Sequence, residues 1–298
     1  MLQSDQHRGL VGIDIGSTSV KLVELAGTPD SFELENIAVV AVPDEASSSA
    51  YTRAVSLLLD GKELGTRRVA TSVSGRKVAV REMRFPILAD KELDSAIRYE
   101  GSQVIAFEIN DSYVDHCIVQ NGKEKTEAMD VLFVAARKEV VDGKTAVLED
   151  AGLEPRIVGV DALVLLEALD ARGELPDTVG VISIGAASTS IGIARKGTVP
   201  FVRDIDIAGN SYTVAIAKEL SVTLEEAEKL KIMEPDRESG AMAAISHVTR
   251  QLVRELSRSL MYYQSREQGA QVDSLFICGG GSGLPGLAEA VSEMAGIP

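Results

Sequence analysis

The sequence predicts an α/β chain of two related lobes, and three observations predict it. The first is a strand–turn–strand run, Gly12-Ile13-Asp14-Ile15-Gly16-Ser17-Thr18-Ser19-Val20-Lys21. The second is a run of the same kind, Val181-Ile182-Ser183-Ile184-Gly185-Ala186-Ala187-Ser188-Thr189-Ser190. Each reads as a buried apolar strand, a turn of small residues and a returning strand. The third is the glycine run Gly279-Gly280-Gly281, set between a strand and a helix. A turn of Gly, Ser and Thr lets backbone N–H groups converge on one point, which suits phosphate oxygens. Two such turns followed by a glycine run point to a nucleotide held between two lobes.

The elements follow in order. Residues 10–15, 19–26 and 32–42 read as strands, the last from its alternating apolar positions. A polar loop at 44–49 precedes a helix through Leu57, Leu58 and Leu59, and 69–73 and 78–85 read as two further strands. Beyond Pro86, Asp90 can cap a helix whose Leu93, Ala96, Ile97 and Val104 fall near one face. A strand at 113–120, an Asn121-Gly122 turn, a strand at 129–136 and a helix at 138–151 ended by Gly152 complete a β-rich insert. The second lobe opens at Pro176-Asp177, with strands at 180–184, 190–194 and 199–207 and helices at 211–219 and 224–231. After a break at Glu234-Pro235-Asp236, a long helix starts near Gly240, its apolar face carrying Ile245, Val248, Leu252, Leu256, Leu260 and Tyr263. The chain closes with a strand at 274–278 and a helix at 284–295. The hairpin-first order repeats after roughly 170 residues, a weak internal duplication. The expected division is 1–84 with 156–175 as the first lobe and 85–155 as an inserted small α+β subdomain. Residues 176–208 with 270–298 form the second lobe, and 209–269 its helical, nucleotide-contacting subdomain.

Composition narrows the function. Of 298 residues, 45% are apolar, enough for the cores of two domains. A net charge of −15 repels nucleic acid phosphates and disfavours an anionic membrane surface. Cys117 and Cys278 lie in strand-like runs without zinc spacing and read as buried small hydrophobes in a reducing compartment. No apolar run approaches the roughly 20 residues of a membrane span, and no signal peptide precedes Gly9, so the expectation is a soluble, cytosolic chain. The absence of Trp argues against an aromatic platform for bases.

The chemistry concentrates at the hairpins. Asp14 can hold a magnesium ion through water, since a hard cation prefers carboxylate oxygen. Gly16, Ser17, Thr18 and Ser19 form the turn, whose hydroxyls can donate to phosphate, and Lys21 can return along the next strand as a point charge. The plainer alternative is a polar hairpin with a solvated lysine. Gly185, Ala186, Ser188 and Thr189 would cradle the same phosphates, or serve as ordinary turn residues. Gly279, Gly280 and Gly281 allow a flat base or sugar to approach the backbone, or form a flexible turn. Glu228 and Lys231, at i and i+3 on one helix, can reach a ribose or base edge, or remain a surface ion pair. His7, His116 and His247 are scattered and suggest neither a metal site nor a catalytic triad.

The order hairpin, insert, hairpin, two-helix segment and glycine run resembles the actin/Hsp70/sugar-kinase superfamily. Within it, the chain from Gly9 onward resembles the type IV pilus assembly protein PilM family, relatives of FtsA. The resemblance is carried by 11–17 with Ser19-Val20-Lys21, by Glu92-Leu93 with 96–100, and by 134–141. Ala151-Gly152-Leu153, 227–231, and Arg258-Ser259-Leu260 with Tyr262-Tyr263 complete it. It implies an actin-like two-lobe fold of duplicated ribonuclease-H-like domains, with an FtsA/PilM-type small subdomain inserted in the first lobe. It also implies ATP and magnesium as cofactors and a cytoplasmic protein docked indirectly on the inner membrane. The expected partner is the N-terminal tail of PilN, lying in a groove between the first lobe and the insert, with 84–155 as the region concerned. PilB, PilC and the PilN/PilO complex are the expected neighbourhood.

Three departures from the family stand out. Ser183 stands where the second hairpin usually carries a metal-holding Asp, which implies at most a weak ATPase. Asp161 matches the family's Glu after the insert; it can position water, or simply start a helix. The chain ends at Pro298, where the family continues by several dozen residues, so a short member or a truncated chain is expected. The leading reading is a nucleotide-binding adaptor. The alternatives are a nucleotide-free scaffold of the same fold, an FtsA-like division protein, and a sugar-kinase-type enzyme, for which no catalytic Asp beside a sugar pocket is evident.

Overall fold

The structure is a computed structural model that describes residues 9–28, 31–42, 47–119, 128–171, 173, 175–233, 239–267 and 270–297. The expected turn at Asn121-Gly122, the break at Glu234-Pro235-Asp236 and His7 lie outside these residues. In chain order the elements begin with β1 (Val11–Ile15), β2 (Ser19–Thr28), β3 (Ser31–Ala41), α1 (Ser48–Leu59), β4 (Arg68–Val73) and β5 (Val78–Pro86). Next come α2 (Asp90–Val104), β6 (Ser112–Val119), β7 (Ala128–Arg137), α3 (Lys138–Asp150), β8 (Glu154–Val160) and α4 (Asp161–Asp170). The remainder is β9 (Thr178–Ile184), β10 (Thr189–Arg195), β11 (Phe201–Ile205), α5 (Gly209–Leu220), α6 (Leu224–Ile232), α7 (Gly240–Arg266), β12 (Ser274–Cys278) and α8 (Leu287–Ala295). They divide into two units, Met1–Val73 with Ala136–Asp161 and Ser74–Ala135 with Ala162–Pro298.

In the first unit a five-stranded sheet runs in the order β3-β2-β1-β4-β8. Val11, Ile13 and Ile15 alternate with Gly12 and Asp14, so a period of two buries the three apolar side chains on one face. They pack with Val20 and Leu22 of β2, with Ala54, Val55 and Leu58 of α1, and with Val147 and Leu148 of α3. Ser47 starts α1 by accepting from the Ala50 N–H at 3.2 Å, and Gly152, at φ 78°, ends the turn after α3. The opposite face of β2 and β3 leaves Val23, Leu25, Leu34, Ile37 and Val39 exposed. β1 and β4 are parallel, as are β4 and β8, so Ile15, Val73 and Val160 end at the same edge of the sheet. Ligands of open α/β sheets bind at such carboxyl ends.

The second unit holds a four-stranded sheet, β11-β10-β9-β12, and a three-stranded sheet, β5-β7-β6. Its larger core runs along α7, where Ile245, Val248, Leu252, Leu256, Leu260 and Tyr263 all face inward at the expected helical spacing. α4 packs on this unit's sheet: a side chain at Gly192 would come within 3.1 Å of Leu166. Gly75 donates from its N–H to Asp204 at 2.9 Å, Arg76 pairs with Asp206, and Arg266 pairs with Glu82 at 3.0 Å. These bonds fasten the start of the three-stranded sheet to β11 and α7. Residues 138–150, assigned from sequence to the insert, pack as α3 against α1 in the first unit.

Two expectations are corrected. Cys117 is exposed, because β6 is an edge strand and its odd-numbered residues turn away from the sheet's core. Val104 is exposed as well; Gly101 takes the inward place on α2, where the Phe133 ring leaves no room for a β-carbon.

Candidate functional site

Each unit carries one turn of the expected kind, and the two are built alike. In the first, Gly16 donates from its N–H to the Ser19 carbonyl at 3.0 Å. In the second, Gly185 donates to the Ser188 carbonyl at the same 3.0 Å. Closeness favours glycine at both points: a β-carbon would lie a tight 3.1 Å from the Ser19 oxygen and 3.0 Å from the Ser188 oxygen. Among the described residues, the amides of Ser17 and Thr18, and of Ala186 and Ala187, have no backbone partner. Consecutive free amides on a tight turn form a concave donor surface suited to an anion.

In the first unit, Asp14 and Lys21 are register partners across the hairpin, and Lys21 Nζ lies 2.7 Å from Asp14 Oδ2. Both are about half exposed, at 45% for Asp14 and 48% for Lys21. Ser17 and Thr18 are exposed and Ser19 half-buried. Asp161 stands at the carboxyl end of β8, where its Oδ1 is buried and has no hydrogen-bond partner among the described residues. Magnesium is commonly held by one or two carboxylates together with phosphate oxygens. The Asp14 oxygens, hard and partly solvated, fit that ion.

Sequence reading missed Lys144. It lies on the buried stripe of α3, at i−3 and i−4 from Leu148's neighbour Val147 and from Leu148 itself. Its Nζ donates to the Ser72 carbonyl at 2.6 Å, at the carboxyl end of β4. Burial pushes this ammonium below the usual lysine range, while Asp161 and Asp14 pull it back up and Lys21 pushes it down. The signal was a lysine on an otherwise apolar helical face, easily taken for a solvated residue.

In the second unit, the turn is fastened to the start of α5. Gly209 donates from its N–H to the Gly185 carbonyl at 2.9 Å and Asn210 to the Ala186 carbonyl at 2.8 Å. Thr189 is fully buried, and its hydroxyl donates to the Ile207 carbonyl at 2.7 Å, so it braces the turn from behind. At the register positions of Asp14 and Lys21 this hairpin holds Ser183 and Ser190. Ser190 bonds to Asp204, and Ser183 is half-buried.

Lys231 is more than half of a surface pair. Its Nζ donates to Glu228 Oε2 at 2.6 Å, to Thr213 Oγ1 at 3.0 Å and to the Gly209 carbonyl at 3.3 Å. These contacts engage all three ammonium donors and brace the first turn of α5. Burial would raise the Glu228 carboxyl, but the Lys231 and Thr213 hydrogen bonds hold it below the usual range. The side chain of Glu228 keeps 46% exposure, so it is the half of the pair open to a ligand. The glycine run divides similarly. A β-carbon at Gly279 would lie 2.5 Å from the Ile184 oxygen, and one at Gly281 would lie 2.4 Å from Ile184 Cγ2. These two let the run close over the end of β9, and Gly280 alone faces open space.

Among the described residues, no three His, Cys, Asp or Glu side chains gather as a metal-ligand set, and no helix is long and apolar enough to cross a membrane.

Comparison with known proteins gives three likenesses. The solved PilM–PilN type IV pilus biogenesis complex superposes with a TM-score of 0.85 at 31% identity, covering 97% of this chain and 86% of that one. The ethanolamine utilization protein EutJ of Escherichia coli (strain K12) is 29% identical over 145 residues, 48% of this chain and 46% of the relative. The chain thus spans about half the length of that curated relative. A Bacteroides thetaiotaomicron protein described as having an actin-like ATPase fold superposes with a TM-score of 0.52 at 10% identity, covering 100% of this chain and 94% of that one. That likeness shows the fold alone, and the fold is actin-like. The family model for the type IV pilus assembly protein PilM matches residues 12–298, and this chain belongs to that family.

Proposed function

We propose that this chain is an ATP-binding adaptor of type IV pilus assembly that docks the N-terminal tail of PilN and passes its nucleotide state to the assembly machinery. The observation that carries the nucleotide half is the pair of equal turns, each closed by a 3.0 Å amide bond and each leaving consecutive amides without a backbone partner among the described residues. The partner half is supported by the likeness to a solved PilM–PilN complex.

On this reading the free amides of both turns, with Gly16, Ser17, Thr18 and Ser19 of the first and Gly185, Ala186 and Ser188 of the second, receive phosphate oxygens. Thr189 supports its turn without touching the ligand. Asp14 would hold magnesium through water, and the ion would supply charge neutralisation at the phosphates. Lys21, paired with Asp14 at 2.7 Å, would give its ammonium to a phosphate oxygen. Glu228, positioned by Lys231, takes a ribose or base edge, and Gly280, flanked by Gly279 and Gly281, offers bare backbone to the base. Asp161 orients a water. Phosphoryl transfer depends on positioning and charge neutralisation, and Ser183 removes one carboxylate from that work, so turnover is slow. Residues 84–155 receive the PilN tail. PilB, PilC and the PilN/PilO complex are further neighbours, and the protein is cytoplasmic, held at the inner membrane through PilN.

Fluorescence titration of the whole chain with a labelled PilN N-terminal peptide, with and without Mg-ATP, tests the adaptor reading. Saturable micromolar binding whose affinity changes on adding Mg-ATP supports it. Binding that ignores nucleotide would leave a scaffold, and no binding would remove PilN as the partner.

A further inference from the structure

Lys144 of the first unit has no part in the function proposed above. Lys144 comes from α3, on the same stripe as core residues Val147 and Leu148, and its ammonium ends at the carboxyl edge of the sheet. That edge is where Asp14 of β1 and Asp161 after β8 also stand. The charged groups acting on the Lys144 ammonium are Asp161, Asp14 and Lys21, the groups assigned above to water, metal and phosphate. Lys144 is therefore a fourth member of the cluster.

Its donors are incompletely engaged. An ammonium has three N–H groups, and Lys144 gives one to the Ser72 carbonyl at 2.6 Å. It makes no ion pair with any described carboxylate, whereas Lys21 is held by Asp14 at 2.7 Å. A desolvated cation with donors to spare is costly unless a ligand completes it. The balance of charge points the same way. Asp14 and Asp161 against Lys21 and Lys144 make a neutral group, and a magnesium-bound triphosphate adds net negative charge to it. A lysine ammonium serves phosphate as a point charge and needs no fixed planar geometry. Ser72 supplies the anchor: its carbonyl fixes the ammonium at the strand end and prevents it from folding back toward solvent.

We infer that Lys144 is a further ligand-binding residue of the first unit, its ammonium donating to a phosphate oxygen of the bound nucleotide while Ser72 holds it in place. This deepens the nucleotide reading and rests on it.

The test uses the full chain, with Lys144→Met to remove charge and donors and Lys144→Gln to remove charge while keeping an N–H for Ser72. Calorimetric titration with Mg-ATP gives affinity. Reductive methylation followed by peptide mass spectrometry, with and without Mg-ATP, reports directly on the Lys144 amine. The inference predicts affinity weaker by about tenfold or more in both variants, as loss of a charge-assisted bond implies, and several-fold protection of wild-type Lys144 by Mg-ATP. Unchanged affinity in Lys144→Gln overturns it, and so does weakened affinity without protection, which would mean that Lys144 acts only through the fold. If the wild-type protein itself binds no Mg-ATP, the nucleotide reading fails first. Tight wild-type binding with an unaffected Lys144→Gln would instead leave that reading standing and remove only Lys144.

Discussion

Lys21 closes on Asp14 at 2.7 Å across the first hairpin, and the second hairpin holds Ser183 and Ser190 at the same two register positions. The internal duplication thus keeps the turn and drops the charges. Where the first hairpin pairs a cation with a carboxylate, the second pairs two serines.

Removal of Asp14 separates these contributions. An ion pair as exposed as this one is worth about 0–1 kcal/mol, so Asp14→Ala leaves the fold intact. The expected outcome is at least a tenfold loss of magnesium-dependent ATP affinity with little change in metal-free binding. Equal losses with and without magnesium, measured by calorimetry, would remove the metal role from Asp14.

Ser183→Asp restores a carboxylate at the second hairpin. Ser183 is half-buried beside Ser190 and, on the parallel strand β12, Cys278. A several-fold rise in the slow release of phosphate is expected. No change would show that hydrolysis is limited elsewhere, with Asp161 the next position to vary.

The glycine run gives a prediction about stability. Gly279 has φ 89°, and a β-carbon there would meet the Ile184 oxygen at 2.5 Å. Gly279→Ala and Gly281→Ala should each cost roughly 1–3 kcal/mol, while Gly280→Ala should stay within about 0.5 kcal/mol of wild type. Urea unfolding midpoints check the contrast. A costly Gly280→Ala together with a silent Gly279→Ala would refute the packing account.

The two thiols should separate by pH. Burial pushes the Cys278 thiol above its ordinary range, with a hydrogen bond from Ser183 acting the other way, whereas Cys117 is exposed. The thiolate is the reactive form, so a raised thiol ionises only at higher pH. At pH 8 iodoacetamide should modify Cys117 at least tenfold faster than Cys278, with the ratio narrowing as pH rises beyond 9. Equal rates at pH 8 would contradict the partial burial of Cys278.

Much of the fold was legible in the sequence, because period-two and period-3.6 patterns identify faces without knowing their partners. The alternation at 32–42 yielded β3, and the apolar stripe from Ile245 to Tyr263 yielded α7. The hairpin turns were legible because glycine is favoured locally, by an oxygen three residues away in the chain. What stayed hidden depended on distant partners. Lys144 gains meaning only from the Ser72 carbonyl, 72 positions away. Lys231 reads as a surface ion pair until Thr213 and Gly209, on another helix, engage its remaining donors. Cys117 looked buried from its strand-like neighbours, and only the strand order shows that β6 lies at an edge.

The central claim is that the two equal turns receive ATP, and calorimetric titration of the wild-type chain with ATP, with and without magnesium, tests it most directly. The account predicts micromolar or tighter binding with magnesium and clearly weaker binding without it. No heat of binding up to millimolar ATP, from a chain shown by circular dichroism to be folded, would contradict it and leave an actin-like scaffold that works without nucleotide.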